Sequence, residues 1–174
     1  DDKRSRGELP LEALDHEDAR TAAGALANLD PNAYRPFNMI IADADEAYCL
    51  INDGVSPHIT SERIKPGVSM VTAHGMNDRA SDRMAFHLPR FQAAPPPDPG
   101  EGDWFAWKAL IADRSRAEGA DWDGSMLIDD VEGYNFGTVS SSLIALPAKG
   151  RNDKKVHSCW LFAPGRPDTT DWRE

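Results

Sequence analysis

The sequence has little cysteine. Its two cysteines, Cys49 and Cys159, share no CxxC spacing, which removes the usual signature of a structural zinc site. Two cysteines also provide no disulfide framework of the kind that holds small secreted domains together. Each lies in an apolar run typical of a strand, so we expect two reduced thiols in the core of a cytoplasmic protein.

Long hydrophobic runs are also missing. The longest, at residues 39–42 and 143–146, are far shorter than the roughly 20 apolar residues that a membrane-spanning helix requires. The first residues are charged and do not resemble a secretory signal peptide. We therefore expect no membrane span and a cytoplasmic location.

Positive charge is the third deficit. The chain carries 19 Lys and Arg against 29 Asp and Glu, a net charge of -10 that repels phosphate backbones and anionic lipid. No Gly-rich phosphate loop follows a strand, so nothing indicates a nucleotide-binding fold. These absences argue against nucleic acid as a partner.

What is present is ordinary globular composition. The 174 residues are 40% hydrophobic and 28% charged, which excludes the low-hydrophobicity signature of disorder. A chain of this length is typical of one domain with a real core. We predict a single domain over residues 1–174.

The first third predicts helices and then a hairpin. Residues 7–14 are typical of a short helix, and Asp15 is the expected cap of a second helix over residues 16–29. Helical spacing gives that second helix one apolar face: Ala19, Ala22, Ala23 and Leu26. Two β-rich runs, 37–42 and 47–51, predict a hairpin, and a further strand pair is expected to flank residues 65–67.

The remainder repeats the order of helices followed by strands. The pattern predicts helices over residues 80–93, which Pro89 kinks or ends early, and over about 103–118, a short strand at 126–128, and a last strand pair at 137–146 and 156–162 joined by the loop 147–154. Helices then strands, twice over, favour an α+β fold with antiparallel sheet rather than a doubly wound one.

Four stretches, taken in order, resemble one family. They are Ser5-Arg6-Gly7-Glu8-Leu9, the strand from Tyr34 to Asp43 with Phe37-Asn38-Met39, the turn His74-Gly75-Met76-Asn77, and the strand Phe136-Gly137-Thr138-Val139-Ser140-Ser141-Ser142. On these residues the chain resembles the family named for its Asn-Arg-Asp-Glu motif, the transport and Golgi organisation protein 2 family. The resemblance covers nearly the whole chain.

This resemblance implies a layered αββα sandwich like that of N-terminal-nucleophile hydrolases. It also implies that the family's N-terminal part, with an initial Cys and the Asn-Arg-Asp-Glu motif, is missing here, so that the sandwich is incomplete at its N-terminus. A sheet without those strands exposes an edge, which favours a homodimer or strand exchange.

The resemblance leaves two uses of a pocket open. Members of the family are implicated in moving haem within cells, and His74 is the best axial-ligand candidate, with His58, His87 and His157 as alternatives. At helical spacing Arg79 and Arg83 share a face and form a candidate clamp for the haem carboxylates; the alternative is a solvated face.

The other use is acylase chemistry. An N-terminal Cys upstream of Asp1 would attack an amide or ester carbonyl, and no catalytic residue is assigned within this chain. Asn77 would donate to the carbonyl oxygen; the favoured alternative is that Asn77 simply occupies a tight turn after Gly75, since Asn tolerates left-handed backbone geometry. Alternating hydroxyls of Thr138, Ser140 and Ser142 would line a pocket or a half-exposed strand face. A non-catalytic interaction domain is the third hypothesis.

Overall fold

The computed structural model describes residues 3–131, 133, 136–148 and 157–174. Helices and small antiparallel sheets make it an α+β protein, which confirms the predicted class. The chain divides into two compact units, Asp1–Asn77 and Asp78–Glu174, so the single domain stays a prediction. Among the described residues no helix is long and apolar enough to cross a membrane.

Two helices open the first unit. Helix α1 spans Glu8–Leu14 and α2 spans Ala19–Ala27. Asp18 caps α2, and the prediction that Asp15 does so is wrong. The Asp18 backbone is extended and its carboxylate accepts the Thr21 N–H at 2.7 Å, whereas Asp15 still has helical dihedrals at the end of α1.

Three antiparallel strands follow, in the order β1-β2-β3: Phe37–Ala42, Ala47–Asn52 and Thr60–Arg63. The predicted hairpin of β1 and β2 is confirmed, with Met39 opposite Leu50. Alternate residues of both strands face the helices, where a cluster of buried residues forms the core: Leu9, Ala23, Leu26, Tyr34, Leu50 and Ile59.

The strand pairing around residues 65–67 differs from the prediction. Strand β3 pairs with β2, while β4 (Val71–Thr72) pairs with β5 (Gly75–Met76) in a separate two-stranded hairpin. All four residues of β3 are exposed, so it carries no apolar alternation that would reveal its partner. The hairpin instead depends on positive φ angles at Gly75 and Asn77, 116° and 55°.

In the second unit, α3 spans Asp82–Ala93 and is capped by Ser81. The predicted apolar face is confirmed, since Met84, Leu88 and Phe91 are buried. Pro89 does not end the helix. It is exposed, and the helix continues beyond it to Ala93.

Helix α4 (Phe105–Ile111) is shorter than predicted. Trp104 is buried before its first turn, while Phe105 is 82% exposed. The chain leaves the helix because the Asp113 carboxylate accepts the backbone N–H and the hydroxyl of Ser115, which favours a turn over continued helix.

The last strands are β6 (Ser141–Ala145) and β7 (Cys159–Ala163), which pair antiparallel and are shorter than predicted. Residues 126–128 form no strand; Leu127 and Ile128 are buried loop residues. Most of the predicted loop 147–154, and residue 156 of the last predicted strand, lie outside the described residues.

Candidate ligand-binding cleft

A cleft of about 650 Å³ opens in the first unit, where β1 begins, β2 ends and the β4–β5 hairpin lies beside them. Its apolar lining is Pro36, Phe37, Ile51, Val71 and Ala73. Its polar lining is Arg6, Asn38, Asn52, Asp53, Thr72 and His74. Ligand sites typically have about 300–1,000 Å³ and mix an apolar wall with a few polar groups.

Two contacts hold the hairpin against the sheet. The Asn38 side-chain amide on β1 donates to the Thr72 carbonyl on β4 at 2.5 Å. Gly75 is buried beside Ile51 on β2, and a Cβ added to it would lie at an ordinary contact distance, 3.5 Å from Ile51 Cδ1. What favours glycine there is its positive φ of 116°, which shapes the hairpin that forms one wall of the cleft.

His74 lies at the tip of this hairpin. Its backbone N–H donates to the Thr72 hydroxyl at 3.3 Å, which helps to fix the turn. The imidazole is exposed and, within the described part of the chain, has no hydrogen-bond partner. Of the predicted site residues, His74 is the one whose ring is free to meet a ligand in this cleft.

The cleft carries both signs of charge. Asp53 accepts hydrogen bonds from the Ser56 hydroxyl and from the backbone N–H groups of Ser56 and Val55, which lower its pKa to about 2. Asp53 is therefore a carboxylate throughout the neutral range. Arg6 donates to the Pro36 carbonyl at 2.9 Å and places a fixed positive charge elsewhere on the lining.

Asn77 closes the hairpin rather than lining the cleft. Its backbone N–H donates to the Met70 carbonyl at 2.8 Å, and its side-chain oxygen accepts the Met70 N–H at 3.0 Å. Its side-chain amide also donates to the Ser69 hydroxyl. With φ at 55°, the residue has the turn role that its left-handed backbone favours.

The predicted arginine pair does not form on a helix. Arg79 lies in the turn before α3, which begins at Asp82, so helical spacing does not apply to it. Arg83 is on α3, and its Nε donates to the Asp123 carbonyl at 2.8 Å. Burial lowers the pKa of Arg83, and the negative charge of Asp123 partly offsets this decrease.

The three predicted hydroxyls share no strand face, because only Ser142 lies in β6. Thr138 accepts the Ile128 N–H at 3.0 Å, and Ser142 accepts the Trp160 indole N–H at 3.2 Å. Ser140 is exposed and precedes the strand. These hydroxyls and the two arginines belong to the second unit, whereas His74, Gly75 and Asn77 belong to the first.

Another predicted histidine, His87, is fully buried on α3. Its Nε2 lies 3.1 Å from the Ser115 carbonyl and its Nδ1 lies 3.3 Å from an Arg90 nitrogen, so neither ring nitrogen is available to a metal. Residues 3–131, 133, 136–148 and 157–174 contain no group of three His, Cys, Asp or Glu side chains suited to a metal ion.

Arg6 and Pro36 are parts of the cleft that the sequence did not predict. Arg6 belongs to the Ser5–Leu9 stretch that carries the family resemblance, and this was the one available signal. It reaches the cleft through a contact with Pro36, 30 residues away in sequence. Comparison of the chain with protein-family models, curated proteins and solved structures gives no match.

Proposed function

We propose that the protein binds a small, largely apolar ligand of the haem class in the cleft of the first unit, with His74 as the axial ligand. The observation that carries the proposal is the position of the exposed His74 imidazole on the wall of a cleft with five apolar lining residues. Histidine is a standard axial ligand of haem iron, and a flat apolar macrocycle is bound by apolar walls.

A carrier is the form of haem protein that this cleft suits. A single imidazole on a two-residue turn offers one ligand to the haem iron. The other face of the haem then stays accessible to water or to a recipient protein. Such a site holds its ligand less firmly than one with two axial ligands. This property favours transfer over permanent retention.

We further propose membership of the Asn-Arg-Asp-Glu family and of the αββα architecture of N-terminal-nucleophile hydrolases. The proposal is supported by two helices that pack on one face of the antiparallel sheet of the first unit. It is also supported by the roles of residues that carry the resemblance. Asn38 contacts the hairpin from β1, Asn77 closes the hairpin by hydrogen bonds, and Gly75 supplies the positive φ of its turn.

The test is titration of the protein with haemin, followed in the Soret band. We expect saturable binding with a shifted band, and we expect His74→Ala to change the spectrum and weaken binding about tenfold or more. His58→Ala is the matched control, because His58 is also an exposed loop histidine of the first unit but does not line the cleft.

Each alternative has a distinct outcome. An unchanged spectrum in His74→Ala would exclude iron ligation by that residue. Hydrolysis of acyl amides that is lost when cysteine is blocked would favour the acylase, whose nucleophile would lie upstream of Asp1. Absence of both activities would leave a non-catalytic interaction domain.

A further inference from the structure

A second depression, of about 260 Å³, adjoins the cleft at its Arg6 side, and its lining is almost entirely cationic. We call it the basic pocket and define it by its residues: Lys3, Arg4, Ser5, Arg6 and Arg35. Four of the chain's 19 basic residues therefore line one small depression on a protein whose net charge is -10. Such a concentration of positive charge attracts anions.

Two of these cations, Lys3 and Arg6, contact uncharged groups, and a third, Arg4, pairs with a carboxylate. Lys3 Nζ donates to the Tyr34 carbonyl at 3.2 Å, and Arg6 donates to the Pro36 carbonyl. Both acceptors are uncharged main-chain groups. Arg4 does pair with a carboxylate, that of Glu8 at 2.9 Å, and its guanidinium lies over the Tyr34 ring.

Arg6 lines both the basic pocket and the cleft, so one side chain joins an apolar space to a cationic one. Asp53, the carboxylate of the cleft, stays ionised because its hydrogen bonds hold its pKa near 2. An anionic group on a bound ligand is repelled by Asp53 and attracted by Arg6. This charge arrangement orients any ligand that has one apolar and one anionic end.

We infer that the ligand of the cleft is an amphipathic anion, with its apolar body in the cleft and a carboxylate or phosphate in the basic pocket. The inference rests on the proposed function, since it assigns the chemical class of the ligand of the same cleft. Arginine and lysine recognise both carboxylates and phosphates through charge-assisted hydrogen bonds. Arg6 is the residue that selects for the anionic end.

Two fluorescent probes with the same aromatic body test this inference. 1-Anilinonaphthalene-8-sulfonate is anionic, and N-phenyl-1-naphthylamine is its neutral counterpart. We expect the anionic probe to bind about tenfold tighter or more, because a charge-assisted hydrogen bond is added. The difference should shrink as salt rises.

Variants of Arg6 test whether this residue accounts for the preference for the anionic probe. Arg6→Gln should remove most of the preference for the anionic probe, whereas Arg6→Lys should retain much of it because the charge remains. Lys65→Gln is the matched control, since it removes an exposed cation of the first unit outside both depressions. Circular dichroism of each variant checks that the fold is intact.

Competition with the anionic probe shows which anionic headgroup the site prefers. Dodecanoate and dodecyl phosphate supply the two headgroups on one chain, and dodecanol is the neutral control. Displacement by either acid, with dodecanol much weaker, supports the inference and identifies the preferred group. Equal binding of the two probes in wild type and Arg6→Gln would overturn the inference and leave the cleft function standing, whereas binding of neither would overturn both.

Discussion

Both units bury apolar side chains and carry ion pairs, but the second unit also buries a histidine. In the first, six buried residues lie between two helices and a sheet, and Leu26 and Leu50 are completely inaccessible to solvent. In the second, helix α3 also buries an apolar face, and its buried His87 and the ion pair of Arg90 with Asp113 connect it to the loop that follows α4. Apolar burial responds little to pH or salt, whereas charged contacts respond to both. The units should therefore differ in what destabilises them.

The polar network of the second unit is centred on His87. Burial lowers the pKa of His87, the nearby Arg90 lowers it further, and Asp113 together with the backbone of Ser115 and Gly124 partly offsets this. Arg90 also forms an ion pair with Asp113. Burial alone would raise the pKa of Asp113, but hydrogen bonds from Ser115 and Arg90 outweigh it and lower the pKa.

A second charged cluster lies nearer the surface. Arg114 pairs with Asp129 at 3.0 Å and with Asp168 at 2.6 Å, while Arg166 pairs with the same two carboxylates at 3.0 and 3.3 Å. This cluster connects three loops of the second unit. The hydrogen bonds from Arg114 and then Arg166 lower the pKa of Asp168.

The largest effect is expected from the core of the first unit. Leu50→Ala removes a fully buried side chain from a packed cluster and should lower the free energy of unfolding by about 2–5 kcal/mol. Ile40→Ala is the control on the neighbouring strand, where the side chain is 54% exposed, and should change it by about 0.5 kcal/mol or less. Urea denaturation measures both. Equal effects would contradict an apolar core on this face of the sheet.

Acidification should lower the free energy of unfolding by a smaller amount, and the second unit should be affected first. Because the pKa of His87 is lower when folded, the unfolded chain takes up a proton first as pH falls below about 6.5. The contribution of His87 is therefore complete above that pH and is lost as pH falls toward the folded pKa. The lowered pKa of Asp53 in the first unit also contributes stability that is lost on acidification. That loss begins only below about pH 4.

Hydrogen exchange of α3 and β2 amides across this range measures the difference between the units. Protection of α3 should fall before that of β2. His87→Gln should abolish the early step, since glutamine does not titrate, whereas His58→Gln should leave it. Parallel loss in both elements would show that the units unfold as one.

The smallest effect is expected from the surface ion pairs. Asp168→Asn removes two of the four pairs, and exposed pairs contribute little individually. We expect a slight decrease in the urea midpoint at about 0.05 M salt that nearly vanishes at about 1 M. Asp121→Asn, at an exposed loop aspartate, is the control. A salt-independent decrease would mean that packing rather than charge accounts for the role of Asp168.

The sequence predicted the helices and strands better than it predicted which strands pair with each other. The apolar face of α2, the β1–β2 hairpin and the buried face of α3 depend on residues close in sequence, and all three were predicted. The partner of β3 was missed because its four residues are all exposed and carry no alternation. Asp15 and Asp18 are equivalent cap candidates in sequence. Only the backbone angles of the folded chain distinguish them.

The residues of the candidate site also divide into those that local sequence identifies and those that depend on contacts between distant residues. His74 and Gly75 were identifiable from a short motif, and the structure places both in the hairpin beside the cleft. The role of Arg6 was not identifiable, because its contact with Pro36 joins residues 30 apart. The burial of His87 likewise depends on Ser115, 28 residues further along the chain.

By itself the sequence determined the helix faces, the first hairpin and the acidic, α+β character of the protein, because periodicity, turn residues and charge act over a few neighbouring positions. The tertiary structure alone decided which strand lies beside which, which histidine is exposed and which is buried, and that Arg6 reaches the cleft. These outcomes depend on contacts between distant residues, and local propensity carries no information about them.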